Sequence, residues 1–314
     1  MIHLLILLMI LMFLFFNVWE SNTGSLRMHR LWYPGVYTRP WFHLSEYRTI
    51  DESIEHKIKT GAKMIYNKTI VICSLCRNVE RNFEQSKQLF EFIGNHFGDY
   101  QIVLMENDSS DRTRELLTAW TLQNPRVQLL DCCDDNTCSC TYNASEGYTI
   151  GQLSSDRMTK MAYYRNKYLK YIQLNNILFD YCLVCDFDLN GSFCIDGFLT
   201  NFAYKDWDAI FTNGRNVVPG TLGFYDLPYD GIAYQDESKE KQESYIKKKR
   251  TMMNALKNMK TMKDRVDSTD ELVSVKSAFN GYGIYSIKSL MNGASYAGDP
   301  VCEHVNLHEN MYNR

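Results

Sequence analysis

The chain has 314 residues, of which 45% are hydrophobic and 13% aromatic, and its formal net charge is −3. This length is sufficient for one large domain or two small ones. The aromatic content argues against a disordered chain, and the near-neutral charge gives no reason to expect a nucleic acid as a partner.

The chain begins with an apolar segment. From its second residue on, the segment 1–19 reads IHLLILLMILMFLFFNVW, interrupted only by His3 and Asn17. About 18 residues is near the lower limit for a helix that crosses a bilayer, and it exceeds the roughly 7–15 apolar residues of a cleaved signal peptide. The sequence therefore favours an uncleaved signal-anchor in a secretory membrane of the Golgi or ER type, with a cleaved signal peptide as the alternative. Arg27 and Arg30 follow the segment and no basic residue precedes it, so the charges leave the orientation open.

Ten cysteines are many for a cytosolic protein of this size. Four of them crowd into DCCDDNTCSC (131–140), where disulfides are the leading interpretation behind a secretory anchor, because the spacing fits none of the common structural zinc patterns. Cys73 and Cys76, like Cys182 and Cys185, have CxxC spacing within apolar runs, which favours buried free thiols. Four N-x-S/T sequons are typical of a secretory glycoprotein: Asn67, Asn107, Asn143 and Asn190.

Residues 20–66 are aromatic, charged and weakly patterned, which predicts a stem with one short helix. The main domain, 67–314, begins with strand-like and helix-like segments in alternation. Such alternation predicts an α/β domain with a mixed, mostly parallel central sheet flanked by helices. Residues 236–265 are strongly charged and helix-prone, which favours a solvated helix or mobile insertion over a lid facing the acceptor. The predicted strands and helices in chain order are KTIVICSLC, NFEQSKQLFEFIGNHF, YQIVLMEND, SSDRTRELLTAWTLQ, SSDRMTKMAYYRNKYLKYIQLN, FDYCLVCDFD, WDAIFTN and SAFNGYGIYSI.

Polar residues follow three of these strands: Arg77-Asn78, Glu106-Asn107-Asp108 and Asp186-Phe187-Asp188. Ligands of open α/β sheets bind at the carboxyl ends of strands, so their convergence on one edge would be informative. Two carboxylates at such an edge suit Mg²⁺ or Mn²⁺, which prefer oxygen ligands completed by water and phosphates. A pair of exposed turn aspartates explains the spacing equally well.

Three segments, in this order, resemble the GT-A nucleotide-sugar glycosyltransferases. MENDSSDRTRELL resembles their DDGSxDxT segment, MAYYRNKYL resembles the ARN helix, and YCLVCDFDLNG stands where the DxD strand belongs. The likeness extends from residue 68 to about 208, with a further stretch near the C-terminus. Within this fold the sequence is most similar to the CAP59-like mannosyltransferases and to related viral and eukaryotic glycosyltransferases. The resemblance implies a GT-A, Rossmann-like α/β fold.

The resemblance also implies roles for individual residues. Asp186 would face the ribose or the metal, and Asp188 would bind the metal directly and act in catalysis. Glu303, in CEHVNLH, would be the general base if the enzyme inverts. His304 or His308 would supply a third metal ligand in place of the family's late histidine, or the metal site is less complete. Further donor-binding positions are Arg77, Glu106, Asn107, Asp111, Arg165 and Gly281.

The leading hypothesis is a membrane-anchored glycosyltransferase that uses Mn²⁺ or Mg²⁺. It would transfer a sugar from a nucleotide-diphosphate donor, with GDP-mannose as a candidate, to a glycan or glycoprotein acceptor. A metal-dependent nucleotidyltransferase is one alternative, disfavoured because GxGxxG and Walker loops are absent from the sequence. An inactive, membrane-anchored glycan-binding protein is another, disfavoured because both Asp186 and Asp188 are present.

Overall fold

The structure is a computed structural model. It describes residues 39–46, 48–131, 155–175, 178–189, 191–220, 223–228, 230, 233–237, 260–262, 264, 271–291, 293–298 and 302–312. Within these ranges, no helix is both long and apolar enough to cross a membrane. Several predicted features lie outside the described residues: the signal-anchor 1–19, cysteines 132–140, the sequons at Asn143 and Asn190, and most of the insertion 236–265.

Strands and helices alternate along the described chain. The strands are β1 Trp41–Phe42, β2 Thr69–Cys76, β3 Asp99–Glu106, β4 Val127–Asp131, β5 Tyr181–Asp186, β6 Phe193–Cys194, β7 Ala209–Phe211, β8 Arg215–Gly220, β9 Gly223–Pro228 and β10 Tyr282–Ser286. The α-helices are α1 Glu52–Ile65, α2 Phe83–Gly94, α3 Thr113–Gln123, α4 Ser155–Leu174, α5 Ile195–Thr200, α6 Ile287–Leu290 and α7 Glu303–Tyr312. Short 3₁₀ helices span Leu44–Glu46, Glu80–Asn82 and Asn201–Ala203.

The central sheet has six strands in the order β4-β3-β2-β5-β10-β7. β4, β3, β2 and β5 run parallel, and β10 is antiparallel to both β5 and β7. The prediction of an α/β domain with a mixed, mostly parallel sheet is therefore confirmed. The two remaining pairs are separate: β1 with β6, and β8 with β9.

Both faces of the sheet are covered by helices. Along β2, Ile70 and Ile72 lie in the core beneath α1, α2, α3 and α5. The alternate residues Val71 and Cys73 lie in a second core beneath α4, α6 and α7. Successive side chains of a strand point to opposite faces, so a strand buried on both faces is apolar throughout. This explains the near-continuous apolar runs that identified the strands.

Part of the predicted stem packs on the domain. Asp51 caps α1 by accepting a hydrogen bond from the Ile54 amide (2.8 Å). At Gly61, a Cβ atom would lie 1.8 Å from the Leu199 carbonyl oxygen, so only glycine permits this approach of α1 to α5. Upstream, Trp41 of β1 stacks on Phe92 of α2, with ring centroids 4.0 Å apart. The boundary at residue 66 stays a prediction, but from residue 39 on the described chain contacts the domain.

Cysteine and sequon predictions have clear outcomes for the described residues. Cys73, Cys76, Cys182 and Cys185 are free and buried, as predicted. Asn107 is also buried, so its sequon is not accessible in the folded domain. Asn67 is exposed.

Candidate functional site

Three strand ends converge at one edge of the sheet. In the parallel register, Cys76 lies opposite Glu106, and Leu75 lies opposite Asp186. Arg77 directly follows β2 and is partly buried. The expected convergence of the polar strand ends is therefore confirmed, and it places the candidate site at the carboxyl edge of β3, β2 and β5.

Glu106 is held within the loop that it begins. Its side chain is 1% exposed, Oε1 accepts a hydrogen bond from the Ser109 amide (2.8 Å), and Oε2 pairs with Arg114. Next to it, buried Asn107 donates its backbone N–H to the Cys76 carbonyl (3.2 Å). Glu106 therefore orders the loop, and the predicted contact of Glu106 and Asn107 with a nucleotide stays a prediction.

Asp111 joins two of the strand ends. Its carboxylate accepts hydrogen bonds from the amide of Glu80 after β2 (3.1 Å) and from the amide of Thr113 in α3 (3.0 Å). Burial raises the pKa of Asp111, but the hydrogen bonds from Thr113 and Glu80 outweigh it and hold the pKa below its usual value. Asp111 is therefore ionised, and it links the loop after β2 to the start of α3.

Asp186 and Asp188 differ in their environments. Asp186 ends β5, and its amide donates to the carbonyl of Gly281 (3.0 Å). Burial raises the pKa of Asp186 to about 7, although Arg165 opposes the shift. Nearby carboxylates raise it further: Asp188, Asp230 and Glu303. Asp188 itself is exposed at the turn.

Arg165 connects two acidic residues that are far apart in the sequence. Its side chain is 3% exposed. Nε donates to Glu303 Oε1 (3.2 Å), and Nη2 lies 3.5 Å from Asp186 Oδ1. The guanidinium therefore orders the two carboxylates, and the predicted contact of Arg165 with the sugar donor stays a prediction. The side chain of the neighbouring Asn166 donates to the Tyr296 carbonyl (2.9 Å) and accepts from the Tyr296 amide (2.9 Å).

Glu303 and His304 begin α7, and both are buried. The His304 ring stacks on Phe279 with centroids 3.8 Å apart, and its Nε2 lies 3.9 Å from Glu303 Oε1. Neither ring nitrogen has a hydrogen-bond partner among the described residues. Burial and the nearby Arg165 lower the pKa of His304 well below its usual value, which keeps the imidazole in the neutral form that binds metals. Its role as a ligand stays a prediction.

His308 lies one turn further along α7 in a hydrogen-bonded chain. Ser277 Oγ donates to the Ala233 carbonyl (2.6 Å), so its single proton is used and it must accept from His308 Nδ1–H (2.8 Å). Tyr285 then donates its hydroxyl proton to His308 Nε2 (2.9 Å). Both nitrogens are occupied, which leaves no lone pair for a metal ion. In contrast to the sequence-based expectation, we assign His308 a structural role.

Replacing His308 by Ala should therefore destabilise the protein without weakening its affinity for a metal. The hydroxyls of Ser277 and Tyr285 would lose a buried partner, at a cost of about 1–3 kcal/mol. Urea unfolding gives the free energy, and Mn²⁺ titration of the full-length chain gives the affinity. A selective loss of Mn²⁺ binding at unchanged stability would instead make His308 a ligand.

Asp230 was not expected in the site, whereas Asn280 precedes the predicted donor-binding residue Gly281. The Asp230 amide donates to Asn280 Oδ1 (3.0 Å), and the Asn280 side chain also donates to the Thr212 carbonyl (3.1 Å). Asn280 and Gly281 have φ values of 52° and 86°, a sharp turn that brings the Gly281 carbonyl to Asp186. The glycine in FNGYG signalled the turn, but nothing near Asp230 in the sequence indicated its carboxylate.

The carboxylate oxygens at this edge fit a hard divalent cation that is bound together with a diphosphate. Among the described residues, no three His, Cys, Asp or Glu side chains are arranged to hold a metal ion. Mg²⁺ in proteins is usually held by one or two carboxylates, with phosphates and water completing the shell. Asp186 and Asp188 meet this smaller requirement. Burial is the main cause of the raised Asp186 pKa, and a bound cation would relieve the repulsion from neighbouring carboxylates that adds to it.

No protein-family model matches the chain, and no curated protein matches it significantly. Among solved structures, it is similar to the mannosyltransferase PcManGT from Pyrobaculum calidifontis in complex with GDP-Man and Mn²⁺, at 10% identity and a TM-score of 0.42. That likeness covers 91% of this chain and 59% of the other. A likeness to S. aureus TarS 1–349 has 12% identity and a TM-score of 0.39, and covers 78% of this chain and 55% of that one. Neither similarity assigns an activity, and the CAP59-like grouping stays a prediction.

Proposed function

We propose that the chain is a metal-dependent glycosyltransferase that moves a sugar from a nucleotide-diphosphate donor to a glycan or protein acceptor. The observation that supports this most directly is the carboxyl edge of the sheet. There Asp186 and Asp188 lie beside Arg77 and the loop 106–108 on adjacent parallel strands. Ligands of open α/β sheets bind at this edge, and paired carboxylates there suit a cation that carries a diphosphate.

On the donor side, Asp188 and Asp186 would hold the divalent cation. When bound, the cation would neutralise the charge that develops on the departing diphosphate. Asp188 is exposed and accessible to a donor, whereas Asp186 is partly buried and fixed through its amide to Gly281. The guanidinium of Arg165 orients the Asp186 carboxylate.

On the acceptor side, Glu303 is the candidate general base. Arg165 holds Oε1, so Oε2 would take the proton of the acceptor hydroxyl. The thiol of Cys302 donates weakly to this oxygen (3.4 Å). Because a base that activates the acceptor for direct attack leads to a single displacement, the product should have inverted stereochemistry at the anomeric carbon.

The proposal is tested by donor hydrolysis with the purified full-length chain, Mn²⁺ and common nucleotide sugars, beginning with GDP-mannose. Asp188→Ala should lower metal-dependent turnover by on the order of 100-fold or more, because the cation loses a direct ligand. Asp99→Ala is the matched control: this exposed aspartate begins β3 at the other end of the sheet and pairs with Arg126. It should leave turnover unchanged.

Other results point to other functions. Metal-dependent turnover that survives in Asp188→Ala would contradict the assigned ligand. A folded wild-type chain with no turnover on any donor would favour the glycan-binding alternative. Transfer of a nucleotidyl group to a sugar phosphate would favour the nucleotidyltransferase alternative.

A further inference from the structure

We propose that Asn82 and Ser86, at the start of α2, are positioning residues for the turn that carries Asp188. The inference rests on the proposed function, since it concerns how that turn is prepared for a divalent cation. Asn82 is 8% exposed and Ser86 is 5% exposed, so neither is placed to contact a donor directly. Both act through the backbone of the turn after β5.

Asp188 needs support from its backbone because its side chain has little packing around it. The carboxylate is exposed, whereas the preceding Phe187 is 1% exposed. The Phe187 ring packs edge-on against Phe90, with centroids 5.4 Å apart, and also lies against Phe83 (6.3 Å). The ring anchors the beginning of the turn to α2. It does not fix the peptide planes, and these determine where the Asp188 carboxylate points.

Two hydrogen bonds from α2 supply the missing constraint. Ser86 Oγ donates to the Phe187 carbonyl (2.5 Å), and Asn82 Nδ2 donates to the Asp188 carbonyl (3.2 Å). Consecutive carbonyls on either side of the Asp188 Cα are thus held by neighbouring side chains of one rigid element. Holding both carbonyls fixes the direction of the Cα–Cβ bond of Asp188.

The choice of Asn82 is informative because it occupies the N-cap position of α2. Asparagine there usually caps its own helix by accepting a backbone N–H. The Asn82 side chain makes no such bond and donates to the turn. Gln85, on the same helix turn, adds a bond to the Gly191 carbonyl (2.9 Å). The start of α2 is therefore arranged to hold the turn.

Removing a group that orients a metal ligand weakens metal affinity by about 10–100-fold. Asn82→Ala/Ser86→Ala should accordingly bind Mn²⁺ about 10-fold or more weakly than the wild type. Mn²⁺ titration of the full-length chain, followed by electron paramagnetic resonance, measures this without turnover. In donor hydrolysis, the half-saturating Mn²⁺ concentration should rise, while the donor KM at saturating Mn²⁺ should stay near the wild-type value. A merely structural defect would not produce this split.

Gln88→Ala is the matched control, since Gln88 is an exposed residue of α2 that donates within the helix, to Glu84 (2.7 Å). Its Mn²⁺ affinity should equal that of the wild type. If the double variant does not unfold cooperatively, the single variants are measured, and each should bind Mn²⁺ several-fold more weakly. Wild-type affinity in a folded variant overturns the positioning role and leaves the proposed function intact. A wild-type chain that binds no Mn²⁺ even in the presence of a nucleoside diphosphate overturns both.

Discussion

Arg165→Met should destabilise the protein by about 3–5 kcal/mol and abolish transfer, because it leaves buried carboxylates without their counter-charge. The guanidinium is 3% exposed, and Glu303, with which it pairs, is 6% exposed. It also lies 3.5 Å from Asp186, so both the acceptor side and the donor side of the site lose the same support. Urea unfolding of the full-length chain measures the stability, and donor hydrolysis measures the activity.

Three further variants show whether the cause is the buried charge. Arg126→Met removes an exposed arginine that pairs with Asp99, and it should cost at most about 1 kcal/mol. Arg165→Lys keeps the charge without the fork geometry, so it should recover only part of the lost stability. Adding Glu303→Gln to Arg165→Met should cost less than the two single changes together, because no uncompensated carboxylate of Glu303 then remains. Equal effects of Arg165→Met and Arg126→Met would refute the buried role.

Much of the fold could be predicted because short stretches of sequence determine whether each element is a strand or a helix. The strands and helices predicted between residues 68 and 213 have the predicted types where the structure describes them, and β2 and β5 are apolar throughout because both faces are buried. The polar strand ends could also be predicted to meet, since parallel neighbours share one edge. The free thiols at positions 73 and 182 follow from the same logic.

The details of the site depend on contacts between residues distant in sequence, which no local pattern reveals. Arg165 could be read as a surface helix residue or a donor contact, and its burial beside Glu303, 138 positions away, rules out the surface position. The two nitrogens of His308 are occupied by Ser277 and Tyr285, which belong to other segments. Asp230 joins the site through the turn at Asn280, whose side-chain oxygen accepts the Asp230 amide.

The expectation for Glu106 was incomplete for a related reason. An acidic residue at a strand end can face a ligand or close its own loop, and the sequence is the same in both cases. Here the Ser109 amide and Arg114 satisfy the carboxylate. In the proposed function, metal and nucleotide binding would therefore fall mainly on the exposed residues of the edge, with the buried ones as their support.

Asp186 should make the stability of the protein depend on pH in an unusual direction. Its pKa is raised to about 7 by burial and by neighbouring carboxylates, whereas an unfolded aspartate has a pKa of about 3.9. The folded state therefore keeps a proton that the unfolded state has already lost between these values. The resulting stabilisation is fully present below about pH 4 and is lost as the pH rises through about 7, by at most about 4 kcal/mol.

Asp186→Asn isolates this contribution, since the amide cannot titrate. The unfolding free energy of the wild type minus that of Asp186→Asn, measured in urea, should fall steadily as the pH rises from 4 to 8. Carboxylates with lowered pKa, such as Asp111, act in the opposite direction but cancel in the difference. A difference that is constant across this range would contradict the raised pKa. Because cations bind the ionised carboxylate, Mn²⁺ should stabilise the wild type more at pH 8 than at pH 5 and should have a smaller effect on Asp186→Asn.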